Sequence, residues 1–135
     1  MAKSKERNPR PTELELLMLK VLWETSPLTA RQIREALAVQ GRELAHTSVI
    51  TTLQKMVDKK QLKQLDPVEG KAYRFAPRVS EGKVSRNMLG DLVDRVFDGS
   101  PEAVMLSLID TADLDAETLK RLRKAFNEKL KEKKQ

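Results

Sequence analysis

The run His46-Thr47-Ser48-Val49-Ile50-Thr51-Thr52-Leu53-Gln54-Lys55-Met56-Val57-Asp58-Lys59-Lys60 leads through Gln61-Leu62-Lys63-Gln64-Leu65 and Asp66-Pro67-Val68-Glu69-Gly70 to Lys71-Ala72-Tyr73-Arg74-Phe75. In its first part Val49, Leu53, Met56 and Val57 recur at i, i+4, i+7 and i+8, one apolar helical stripe. The period then changes from 3.6 to 2. Residues 62–65 are short and mixed, 66–70 are a turn cluster, and 71–75 alternate between apolar and basic positions. This pattern predicts a helix over residues 47–60 with a β-hairpin directly behind it. Tyr73 and Phe75 read as the hairpin's core face, and Pro77 as the residue that stops its second strand.

Two helices precede this unit. Residues 1–10 are polar and read as a disordered tail, stiffened at its end by Pro9-Arg10-Pro11. Thr12-Glu13-Leu14-Glu15 is a capping box, after which Leu16, Leu19, Val21, Leu22 and Trp23 form a wide stripe ending near Thr25-Ser26-Pro27. Thr29-Ala30-Arg31-Gln32 is a second capping box, followed by Ile33, Ala36 and Leu37 and closed by Gly41. Three short helices and a hairpin, in that order, are the order of a winged helix-turn-helix, in which the third helix enters the major groove and the hairpin touches backbone beside it.

Beyond Pro77 the chain reads as helical throughout. Ser80 caps a run with Val84, Met88, Leu92, Val93, Val96 and Phe97 on one face, closed by Gly99. Ser100-Pro101-Glu102 opens a shorter helix with Val104, Met105, Leu108 and Ile109, and Asp115 caps a last one with Leu119, Leu122, Phe126 and Leu130. A part this small buries too little of its own surface, so pairing with a second copy through residues such as Leu92, Val96, Leu108, Leu119, Leu122 and Phe126 is the economical arrangement. The expected fold is mainly α: a tail over 1–10, a winged helix-turn-helix domain over 11–79 and a helical dimerisation domain over 80–135.

The chemistry points the same way. The 135 residues contain no cysteine and one histidine, His46, which removes disulfides, the usual zinc ligand sets and Cys-His or Ser-His nucleophiles. No metal, no cofactor and no enzyme activity are expected. Asp110, Asp113, Asp115 and Glu117 miss the spacing and the glycine of a calcium loop and read as helix caps. No stretch is long and apolar enough for membrane insertion, and the first residues lack the apolar core of a secretory signal, so a cytoplasmic location is expected. Charge is divided unevenly: residues 1–79 hold 15 Lys/Arg against 9 Asp/Glu, residues 80–119 hold 3 against 9, and residues 120–135 hold 8 against 2. A basic first half suits a polyanionic partner, and an acidic stretch beside a basic one suits self-association.

With Val49, Leu53 and Met56 turned inward, a rotation of about 100° per residue leaves Thr47, Thr51, Gln54 and Lys55 on the far side of the third helix. Hydroxyls, an amide and a cation bond phosphates and base edges of double-stranded DNA. Ile50, at the flank, either meets a thymine methyl or packs. Lys63, Lys71 and Arg74 on the hairpin either straddle a run of phosphates or guard a sheet edge. The rival reading is a winged-helix module that binds an acidic protein and no DNA.

Thr12-Glu13-Leu14-Glu15, Lys20-Val21-Leu22-Trp23, Pro27-Leu28-Thr29-Ala30-Arg31-Gln32-Ile33 and Gly70-Lys71-Ala72-Tyr73-Arg74-Phe75-Ala76-Pro77, in this order and spacing, resemble the penicillinase repressor (BlaI/MecI/CopY) family of bacterial transcriptional repressors. The resemblance covers about 11–130. It implies a homodimer on a palindromic operator, with DNA contacts at Thr47, Ser48, Ile50, Thr51 and Lys55. Family members often carry basic residues at two of these places, where this chain has Thr47 and Ile50, a departure from the family's pattern at residues that the resemblance places on the operator. The resemblance also implies a regulated cleavage site, falling here at Ser107-Leu108, with a membrane sensor protease as partner. Copper-responsive members carry a C-terminal cysteine motif that this chain lacks.

Overall fold

A computed structural model describes residues 10–134; the expected tail over 1–10 falls outside them except for Arg10. The elements run α1 (Glu13–Glu24), β1 (Leu28–Thr29), α2 (Ala30–Val39), α3 (His46–Asp58), β2 (Leu62–Leu65), β3 (Arg74–Pro77), α4 (Glu81–Val96), α5 (Pro101–Thr111) and α6 (Ala116–Lys134). The chain is mainly α with one small antiparallel sheet, as the periodicities predict. It divides into two compact units between Gly90 and Asp91, inside α4.

The caps explain where the helices start. Thr12 and Glu15 satisfy each other's amides at 3.2 and 3.0 Å, and Thr29 and Gln32 do the same at 3.2 and 2.9 Å. The Ser80, Ser100 and Asp115 side chains accept from Lys83, Ala103 and Thr118 amides at 3.1, 3.0 and 2.8 Å. Asp115, tempting as a calcium ligand, is thus a helix cap, and the hydroxyl and amide of Thr118 hold its carboxyl below the usual range.

In the first unit α1, α2 and α3 close around a core of Met18, Leu19, Leu22, Ile33, Leu37, Val49, Leu53, Met56, Leu62 and Phe75. The α1 stripe is rotated from the sequence reading: Met18 is buried, Leu16 and Trp23 are half-buried, and Glu15 is buried with its cap. The indole of Trp23 donates to the Val79 carbonyl at 2.9 Å, holding the start of the segment that leads into α4.

The sheet corrects the hairpin reading in two ways. Its order is β1-β3-β2, so β3 is central and a two-residue strand after α1 completes it. The second hairpin strand begins at Arg74, not Lys71. Leu65 pairs with Arg74 and Leu62 with Pro77, and because Asp66-Pro67 ends β2, residues 71–73 have nothing to pair with. Tyr73 is consequently 50% exposed and not on the core face, while Phe75 is buried.

In the second unit α6 runs for 19 residues without one buried side chain, and Leu119, Leu122, Phe126 and Leu130 are all exposed. No helix among the described residues is long and apolar enough to cross a membrane.

Candidate nucleic-acid interface

The surface of α3 follows from how it is anchored. Val49, Leu53 and Met56 are fully buried, which fixes the rotation of the helix about its axis. Thr47, Ser48, Thr51, Gln54 and Lys55 are then exposed, and Ile50 is half-buried against the core. Thr52 instead turns its hydroxyl back to the Ser48 carbonyl at 2.8 Å. His46, expected just before the helix, is its first residue and is exposed.

The two ends of α3 differ. At the start Ala45 occupies the N-cap and no side chain bonds the first amides, whereas α1, α2 and α5 have side-chain caps. Free amides at the positive end of a helix dipole suit an anion. At the other end Lys60 and Gln61 amides bond the Val57 and Met56 carbonyls at 3.0 and 2.8 Å, a Schellman closure. Beside it the Lys59 ammonium donates to the buried Glu15 carboxylate at 2.8 Å, tying the end of α3 to the start of α1. Burial alone would raise the Glu15 pKa, but the bonds from Lys59, the Thr12 amide and Gln61 outweigh it and hold the carboxyl below its ordinary value.

The wing residues fall into two groups. Lys63 and Lys71 are exposed, and Lys71 sits in a turn closed by its own amide on the Val68 carbonyl at 3.1 Å. Arg74 is half-buried, and its guanidinium donates to the Asp66 carbonyl at 3.3 Å, which braces the two ends of the wing loop. Sequence reasoning missed Gln64. Its amide oxygen accepts from the Gln54 amide at 3.3 Å, joining α3 to the wing. The signal was available in the alternation of β2, which puts Gln64 on the same face as Leu62.

In the second unit Leu108, Leu119, Leu122 and Phe126 line one apolar groove of about 490 Å³ between α5 and α6, together with Met105, Ile109, Ala112, Leu114 and Arg123. Leu92 and Val96 are exposed on α4 and are not among its lining. Ser107 and Leu108 lie within α5, and the Ser107 carbonyl accepts from the Thr111 hydroxyl at 2.7 Å.

The sequence model of the penicillinase repressor family matches residues 11–128. Two relatives, the BlaI transcriptional regulators of Mycobacterium tuberculosis strains CDC 1551 and H37Rv, are each 31% identical over 112 residues, covering 81% of this chain and 79% of theirs.

Proposed function

The chain belongs to the penicillinase repressor family, and from that premise we propose a transcriptional repressor that binds a palindromic DNA operator as a homodimer. It is not an enzyme. The observation that carries the reading is the surface of α3: three fully buried aliphatic residues anchor it, and the opposite side offers hydroxyls, an amide, one lysine and an uncapped N-terminus. Thr47, Ser48, Ile50, Thr51, Gln54 and Lys55 meet the major groove, and Lys71 meets phosphate beside it. Arg74 contributes through its bond to Asp66, holding the wing in shape as well as adding charge.

The domain over 11–79 binds DNA and the region over 80–135 joins two copies. The exposed apolar face of α6 and the groove beside it support that pairing, since a chain left alone would present them to water. Relief of repression by a sensor protease would act on Ser107-Leu108; because that bond lies inside α5, scission requires local unwinding of the helix.

The test is a mobility shift with a DNA fragment from upstream of the chain's own gene against a shuffled fragment of equal composition, over a series of salt concentrations. Binding should favour the native fragment by roughly 10³-fold or more and weaken steeply with salt. Equal binding to both fragments at physiological salt would refute sequence recognition. No binding to either would favour a module for an acidic protein.

A further inference from the structure

Gln54 leaves the exposed side of α3 next to the base of the wing, where its amide N–H donates to the Gln64 side-chain oxygen at 3.3 Å. Gln64 stands opposite Phe75 in the sheet, and Phe75 is buried in the core together with Leu62, two residues before Gln64. The acceptor is therefore carried by a strand whose own position is fixed by packing, while the donor is carried by an exposed helix face.

A side-chain amide has two N–H donors and one carbonyl oxygen. With one N–H committed to Gln64, Gln54 keeps one N–H and its oxygen, a donor and an acceptor on a single planar group. Adenine presents the complementary pair in the major groove, an acceptor at N7 and a donor at N6. A free glutamine offers this pair only after its rotamer freedom is lost and its amide has chosen one of two orientations. We propose that Gln54 reads an adenine in each operator half-site and that Gln64 is its positioning residue, setting the orientation of the Gln54 amide before DNA arrives. This rests on the DNA-binding reading above and adds to it a base identity and a residue outside the recognition helix.

The chemistry separates two substitutions of Gln64. Glutamate still accepts the Gln54 N–H, so Gln64→Glu preserves the orientation while adding a negative charge near the phosphates. Lysine only donates, so Gln64→Lys would engage the Gln54 oxygen and turn the amide away while adding a positive charge. A residue that merely filled space would move base preference alike in both variants.

The experiment is selection of full-length protein on a randomised duplex library with sequencing of the bound fraction, followed by competition binding on the selected site and its single-base variants. Wild type should prefer adenine at one position per half-site by roughly 5- to 150-fold, the range of a bidentate contact. Gln54→Ala should abolish that preference and leave the other positions as they are. Gln64→Leu and Gln64→Lys should each reduce it by about 2- to 10-fold, the cost of ordering the side chain at the interface. Gln64→Lys should raise affinity for all sequences, whereas Gln64→Glu should lower it and keep the adenine preference. Thermal melts check that each variant is folded. Selective wild-type binding with an unchanged adenine preference in Gln64→Lys would overturn the positioning role, and an unchanged profile in Gln54→Ala would overturn the base assignment. A wild type without any selected sequence would overturn the DNA-binding reading itself, and the inference with it.

Discussion

Lys60 holds φ at +67° one residue beyond the C-cap of α3, and Gly41 holds φ at +89° at the same place after α2. Both close a Schellman motif, so the backbone demand is the same at each, but a side chain in the left-handed region costs about 1–2 kcal/mol that glycine avoids. Part of that is returned because glycine is freer in the unfolded chain. Lys60→Gly should therefore stabilise the first unit by about 0.5–1 kcal/mol, and Gly41→Ala should destabilise it by about 1 kcal/mol, both read from urea unfolding. Glu15 gives a second prediction at this scale. Its folded pKa lies below the ordinary value of 4.5, so the stability it supplies is complete above that value and is lost as pH falls through the lower, folded one. Glu15→Gln should cost about 1–2 kcal/mol at pH 7, because the bond to Lys59 loses its charge. The difference from wild type should close as the pH is taken well below 4, and a gap that persisted there would mean that the ion pair is not its source.

On the proposed reading α3 holds the core with one side and meets DNA with the other, and substitutions should divide along these two tasks. Leu53→Ala leaves a cavity beneath the helix and should cost about 2–5 kcal/mol of stability, lowering the melting temperature without altering which sequence is preferred. Thr51→Ala leaves stability nearly unchanged and should relax discrimination at one base pair. Lys71→Ala on the wing should weaken specific and random DNA alike and reduce the salt slope by about one. If Thr51→Ala and Lys71→Ala gave the same binding profile, the division between base reading and phosphate contact would be wrong. The helices, their caps and the buried stripe of α3 were legible in the sequence because each depends on residues three or four apart. What escaped depends on partners far along the chain. β1 exists because Leu28 and Thr29 meet Phe75 and Arg74, and Tyr73 is exposed because β2 ends before it could be paired. Glu15 looked like a cap alone because nothing local announces Lys59, 44 residues away.

In the second unit the α5–α6 groove and the apolar face of α6 lie open to water. Leu119, Leu122 and Phe126 lie at helical spacing on α6 and remain exposed, while Leu108 faces the same groove from α5. In the dimer proposed above, one domain alone on a half-site would forfeit the gain that linkage brings, since the second contact is made at high effective concentration. Dimerisation and operator affinity should therefore fail together. Leu122→Asp puts a charge in the groove without touching α3, and it should give monomers in sedimentation velocity and lower operator affinity by about 10²-fold or more. Affinity for random DNA per domain and the melting of the first unit should stay close to wild type, because the substituted residue belongs to the second compact unit. Adding salt distinguishes the apolar face from charge pairing between the acidic stretch 80–119 and the basic stretch 120–135. A dimer held by the leucines keeps its sedimentation coefficient as ionic strength rises, whereas one held by charge dissociates. An unchanged sedimentation coefficient in Leu122→Asp would place the contact elsewhere, with Leu92 and Val96 on α4 as the next surface to alter.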